Sequence, residues 1–190
     1  MDSILEVKNI DFSYHTNEGE TLALKQVSFA VNEGEFIAIV GPSGCGKSTL
    51  LHLIAGLLKP EAGLITYRGN ITPGGSAVLG YMLQRDELLE WRNIYANIIL
   101  GLEIQHKLTS ENKARVWHLL SAYGLKSFAY SRPSELSGGM RQRAALIRTL
   151  VLNPDILLLD EPFSALDYQT RLMVTEDIYK ILKNENITAI

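Results

Sequence analysis

The chain has 190 residues, 46% hydrophobic and 21% charged, enough apolar material to bury a core as one domain and too much for a disordered segment. Eighteen Lys and Arg against 21 Asp and Glu leave a formal net charge of −3, so no broad field draws nucleic acid or anionic lipid to it. Its longest apolar runs are too short to cross a bilayer as helices, the N-terminus lacks a signal-peptide pattern, and the single cysteine, Cys45, has no internal disulfide partner. A reducing, cytoplasmic setting follows as the expectation.

In chain order, Ile4-Leu5-Glu6-Val7 and the spaced Leu22, Leu24, Val27, Phe29 and Val31 predict antiparallel strands, with turns at Asn17-Glu18-Gly19-Glu20 and Asn32-Glu33-Gly34. The all-apolar Phe36-Ile37-Ala38-Ile39-Val40 predicts a parallel strand buried on both faces. It runs into a glycine-rich loop, after which Leu50, Leu53, Ile54 and Leu57 predict an amphipathic helix from Lys47, closed by Gly56 and Pro60. Short strands are expected over 64–67 and 77–83, joined by Thr72-Pro73-Gly74-Gly75-Ser76. Residues 88–136 turn helical, with a cap near Ser110-Glu111-Asn112-Lys113. A helix over 138–152 stops at Asn153-Pro154 and feeds a second buried strand, Ile156-Leu157-Leu158-Leu159; a last helix over 168–183 precedes a strand that Ile187-Thr188-Ala189-Ile190 begins. Exposure of Ile187 and Ile190 is expected on this reading, as is a chain that stops partway through its last strand. The fold class is α/β: one P-loop nucleotide-binding domain over 1–190 with a parallel core sheet, an antiparallel β segment over about 1–35 and a helical insertion over about 88–136.

Gly41-Pro42-Ser43-Gly44-Cys45-Gly46-Lys47-Ser48 fits G-x-x-x-x-G-K-S/T and sits between a predicted strand and a predicted helix, the context that motif needs. Glycines let backbone N–H groups converge on phosphate oxygens, the helix start adds a favourable dipole, Lys47 reaches the β/γ-phosphates and Ser48 ligates Mg²⁺. A chance glycine turn would leave the Lys-Ser pair unexplained. Asp160-Glu161 end the second buried strand on the side where open α/β sheets bind ligands. Asp160 suits Mg²⁺ and Glu161 suits a water attacking the γ-phosphate, whereas an isolated Asp-Glu would be a solvated strand end.

Together with Leu136-Ser137-Gly138-Gly139-Met140 and Ser164-Ala165-Leu166-Asp167, these motifs make the chain resemble the nucleotide-binding domain of an ATP-binding cassette (ABC) transporter over nearly its whole length. The resemblance implies ATP and Mg²⁺ at residues 41–49 (Gly41, Pro42, Ser43, Gly44, Cys45, Gly46, Lys47, Ser48 and Thr49). It also implies that Ser137, Gly138 and Gly139 cap the γ-phosphate held by a second copy in a head-to-tail sandwich. Ser137 as a plain helix cap is the alternative. Met140 departs from the family's commoner Gln. Tyr14 resembles the aromatic that stacks on adenine, against ordinary strand packing. Gln84 resembles the glutamine that senses Mg²⁺ and the attacking water, against a polar strand end. Asp167 resembles an aspartate acting across the dimer, against a cap for the next helix.

In the family, the segment after Gln84 forms a groove for a helix of the membrane subunit. Trp91, amid Asp86-Glu87-Leu88-Leu89-Glu90-Trp91-Arg92-Asn93, has two readings, such an interface or the insertion's own core. Trp117 reads as core, and His15, His52, His106 and His118 as structural or solvated. The same stretch is similar to nitrate/sulfonate/taurine-type importer subunits. The resemblance therefore implies an ATPase peripheral to the cytoplasmic face of the membrane, working with transmembrane permease subunits and a solute-binding protein on a small anion, and not with nucleic acid. It also places a switch histidine beyond Ile190. A module that binds ATP but hydrolyses it poorly is one alternative, and a non-transport ABC ATPase is the other.

Overall fold

The computed structural model describes residues 3–17, 19–71, 79–162, 167–185 and 187–190. Two compact units emerge: Met1–Leu79 with Asp155–Asp160 and Asn186–Ile190, and Gly80–Pro154 with Glu161–Glu185.

In the first unit, β1 (Leu5–Thr16), β2 (Gly19–Val31), β3 (Ala62–Tyr67) and β4 (Asn70–Ile71) form an antiparallel sheet in the order β2-β1-β3-β4. Leu5 and Val7 are buried on β1, as the apolar spacing predicts, and so is Ile10 beyond a break in the pairing register. Bulges interrupt its pairing with β2, and side chains take up the freed amides: Asn9 N–H donates to Ser28 Oγ at 2.8 Å, and Gln26 N–H to Asp11 Oδ1 at 2.6 Å. Helix α1 (Lys47–Ile54) buries Leu50, Leu51, Leu53 and Ile54. Strands β6 (Ile156–Leu159) and β7 (Thr188–Ala189) pair in parallel, and Ile156, Leu157 and Leu158 are fully buried.

The run 36–40 departs from expectation. Phe36 makes a single parallel bridge to Ala189, Ile37 N–H donates to Ala189 C=O at 2.9 Å, and regular pairing stops there. Phe36 and Val40 are exposed, Val40 to 91%. A run becomes a buried strand only where neighbours cover it, and among the described residues it finds one neighbour, two residues long. Ile190 corrects the opposite way: it is buried, its N–H donates to Leu157 C=O at 2.9 Å and its C=O accepts from Leu159 N–H at 2.7 Å.

The second unit opens on β5 (Leu79–Met82), shorter than expected; residues 72–78, including the predicted loop, lie outside the described residues. Helices α2 (Ile94–Ile98), α3 (Leu100–Ile104) and α4 (Ser110–Ala122) follow, then α5 (Gly138–Leu150) and α6 (Tyr168–Asn184). The cap of α4 is Thr109, one residue ahead of the predicted Ser110, because the Thr109 hydroxyl accepts the Asn112 N–H at 3.2 Å. Helix α5 is the hub, packing on α2, α3, α4 and α6 with Ala144, Leu146, Ile147 and Leu150 buried. Trp117 is half-buried rather than core, stacked on Tyr95 at 5.2 Å beside an exposed Tyr130.

Asn97 organises the stretch before α2. Fully buried, it accepts Leu89 N–H at 2.7 Å and donates to the carbonyls of Leu89, Arg92 and Asn93 at 3.1, 3.2 and 3.0 Å. This holds a turn that leaves Trp91 72% exposed, which removes the core reading for that residue. Asn97→Leu strands these backbone groups without partners and is expected to lower stability by about 2–4 kcal/mol, read as the midpoint shift in urea at constant m-value.

Candidate functional site

Within the first unit the chain carries residues 41–49 from the unpaired end of the 36–40 run into α1. Gly44 and Gly46 take φ of +79° and +97°. At Gly46 no other residue fits, since a Cβ would come within 2.6 Å of Ala23 O and 2.9 Å of a Leu24 methyl. A Cβ on Gly41 would meet Cys45 Sγ at 2.6 Å, so the loop closes tightly on itself. No side chain caps the start of α1, and no acidic residue stands in its first turn, an arrangement that suits a phosphate. The Lys47 ammonium donates to the carbonyls of Gly41 and Pro42, both at 3.0 Å, which folds it back over the loop.

The Ser48 hydroxyl donates to Asp160 Oδ1 at 2.8 Å, joining positions 112 residues apart, and Asp160 is only 9% exposed. A hydroxyl and a carboxylate at this separation are hard oxygen donors, the set that suits Mg²⁺ shared with phosphates. The Tyr14 hydroxyl and Thr49 Oγ1 hydrogen-bond at 3.1 Å, while the Tyr14 ring stands edge-on to Phe12 and remains 41% exposed. The first unit thus brings together residues 41–49, Asp160 and Tyr14. Thr49 as the anchor of Tyr14 was not legible beforehand, for nothing local signals a contact 35 residues away.

The remaining predicted residues belong to the second unit. Glu161 is exposed, at φ +44°. Gln84 is exposed just beyond β5. Ser137 is the N-cap of α5, its Oγ accepting Met140 N–H at 3.4 Å, with Ser137 and Gly138 exposed and Gly139 buried. Asp167 precedes α6 and its carbonyl accepts Arg171 N–H at 2.9 Å; residues 163–166, which carry most of that motif, lie outside the described residues.

A salt-bridge cluster joins residues 86–90 to α5. Asp86 takes Arg141 Nε at 2.9 Å and a second Arg141 nitrogen at 3.0 Å, and Glu90 takes the third at 2.8 Å. Burial pushes the Asp86 carboxyl up, but the hydrogen bonds from Arg141 and Leu88 N–H, with the charges of Arg141 and Arg148, hold it below its ordinary value. The Arg141 guanidinium is raised by the same bond. The one hint in the sequence was a basic residue in the first turn of a helix, where the dipole disfavours it unless carboxylates answer.

An uncapped helix start behind a glycine loop, a lysine folded over it and a strand-end carboxylate on its serine define a P-loop nucleotide-binding domain. Residues 24–164 match the family described as ABC transporter, and the chain belongs to that family. It is 46% identical over 188 residues to the ABC transporter ATP-binding protein YtlC of Bacillus subtilis (strain 168), covering 99% of this chain and 72% of YtlC. It is 39% identical over 187 residues to the taurine import ATP-binding protein TauB of Jannaschia sp. (strain CCS1), covering 98% of this chain and 70% of TauB. The dimeric post-hydrolysis structure of the ATP-binding cassette MJ0796 bound to ADP and Pi superposes with a TM-score of 0.81 at 31% identity, covering 97% of this chain and 85% of that one. The chain is an ABC ATPase cassette, similar to the ATPase subunits of taurine-type importers. Among the described residues no helix is long and apolar enough to cross a membrane.

Proposed function

We propose that the protein powers an importer for a small organic or inorganic anion, working at the cytoplasmic face of the membrane with separate transmembrane permease subunits and a solute-binding protein. The observation that carries the ATP-binding part of this reading is the 2.8 Å bond between Ser48 and Asp160. It ties the phosphate loop to the end of β6, which supports a nucleotide-bound metal being shared by these two oxygen donors. Backbone amides of residues 41–49 hold the phosphates, Lys47 swings from the Gly41 and Pro42 carbonyls to the β/γ oxygens, and Ser48, Asp160 and Gln84 hold Mg²⁺. Mg²⁺ supplies charge neutralisation on those oxygens. Glu161 takes the proton of the attacking water. Ser137, Gly138 and Gly139 of a second copy close over the γ-phosphate, and Asp167 acts across the same dimer. Residues 1–190 serve as one ATP-binding domain, with 88–136 as its helical insertion. The exposed Trp91 meets the permease.

The anion class is supported by the likeness to a taurine import protein and by residues 86–93. Its test is growth of a bacterium whose taurine importer lacks its ATPase subunit, with taurine as sole sulfur source. Growth restored by this protein supports the class, and no growth despite expression and ATP turnover sinks it. A non-transport ATPase would not associate with permease subunits. Hydrolysis rising faster than linearly with protein concentration supports the sandwich dimer, whereas ATP binding without turnover favours the module with impaired hydrolysis.

Tyr14→Ala is expected to weaken ATP binding about five- to tenfold by removing a stacking face of roughly 1 kcal/mol. Tyr14→Phe keeps the ring, loses only the Thr49 contact and should bind as the wild type does. Equal losses in both variants, measured by titrating a fluorescent ATP analogue, would assign the effect to the hydroxyl and end the stacking role.

A further inference from the structure

Residues 84–90 are shaped by two arginines of α5. Arg141 stands one turn from Ser137 and grips Asp86 through two nitrogens while holding Glu90 with the third. Two turns further along the same helix, Arg148 donates to the carbonyls of Asp86 and Glu87, both at 2.7 Å. Glu87 lies at φ +46°, a conformation that costs a non-glycine residue energy and persists where its surroundings hold it. Asp86 Oδ1 also accepts Leu88 N–H at 3.1 Å, completing the turn. The Asp86 and Arg141 side chains are 18% and 26% exposed, so the pair is partly withdrawn from water and its forked geometry is directional.

The fork matters because of what lies at its two ends. Gln84 is two residues before Asp86, and Ser137, Gly138 and Gly139 open the helix that carries Arg141. A displacement of the opening turn of α5 pulls on Asp86 through two charge-assisted bonds, and Gln84 follows through two peptide units of a chain already fixed at Glu87. We propose that Arg141 and Asp86 are positioning residues that make the Gln84 loop and the Ser137–Gly138–Gly139 loop move as one body, so that nucleotide engaged by either loop is reported to the other. The inference rests on the ATP-site reading above.

Amide hydrogen exchange of the whole protein, with and without Mg²⁺ and the non-hydrolysable analogue AMP-PNP, tests it on wild type, R141Q, D86N, the double variant and R141K. In wild type the nucleotide should slow exchange at 41–49 and, together, at 80–88 and 137–143. In R141Q and D86N the slowing at 41–49 and 137–143 persists, while that at 80–88 falls about threefold or more. The double variant should be no worse than either single one, as expected of a pair acting as a unit, and R141K, which keeps the charge and loses the fork, should fall between. In ATPase assays kcat drops about tenfold with KM for ATP within about twofold. Undiminished joint slowing in R141Q overturns the proposal, as does faster exchange throughout the nucleotide-free variants, the mark of a merely structural bridge. No slowing at 41–49 in wild type overturns the ATP-site reading, and this inference with it.

Discussion

Glu161→Gln is expected to lower ATP turnover by about 10²- to 10⁴-fold while leaving ATP binding intact, the loss typical of removing a general base. The amide preserves the size of the side chain and its hydrogen-bonding reach but cannot accept a proton. Glu161 follows Asp160 at the end of β6, solvent-exposed, at φ +44°. A non-glycine residue in the left-handed region at a strand end is a strained position of the kind found where a side chain must be aimed. Because the residue is exposed, the substitution should leave the melting temperature unchanged. Phosphate release under saturating Mg²⁺ and ATP gives the rate, and the same sample titrated with a fluorescent ATP analogue gives the affinity. Turnover within about tenfold of wild type would remove the base role from Glu161. A loss of binding in step with turnover would make it a binding residue instead.

Lys47→Ala should act at the other end of the cycle, weakening nucleotide binding by on the order of a hundredfold. Lys47 Nζ donates to the Gly41 and Pro42 carbonyls at 3.0 Å, contacts that both residues, exposed in the loop, can replace with water. Losing these two contacts therefore costs the fold little. The triphosphate loses charge-assisted bonds worth ~3 kcal/mol, on the order of a hundredfold in affinity. Calorimetric titration with Mg²⁺ and ATP, beside thermal unfolding, checks both halves. An affinity within about threefold of wild type would show that backbone amides alone hold the nucleotide. A fall in melting temperature large enough to unfold the loop would show that the two carbonyl contacts are structural.

The parts of the site legible in the sequence are those whose chemistry is local. The eight residues from Gly41 to Ser48 are contiguous, their conformation is set by Gly44 and Gly46, and the helix they open is written in the spacing of Leu50, Leu53 and Ile54. The helix start at Gly138 and the β6 run obey local rules of capping and periodicity. Where the outcome depended on which groups pack alongside, the sequence misled or left two readings open. Residues 36–40 have the composition of a buried strand, yet regular pairing ends at Ile37, because a strand exists only as far as its partners extend. Trp91 is equally apolar as core or as surface, and it was the hydrogen bonds of a buried Asn97 that turned it outward.

The sequence by itself determined the phosphate loop, the α/β class and the order of the motifs, since each depends on residues within a few positions of one another. Tertiary structure alone decided that Ser48 meets Asp160, that Tyr14 leans on Thr49 and that Arg141 clasps Asp86, at separations of 112, 35 and 55 residues. Such pairings depend on loop closures and on burial that sets the local dielectric, and neither is a property of any short stretch of chain.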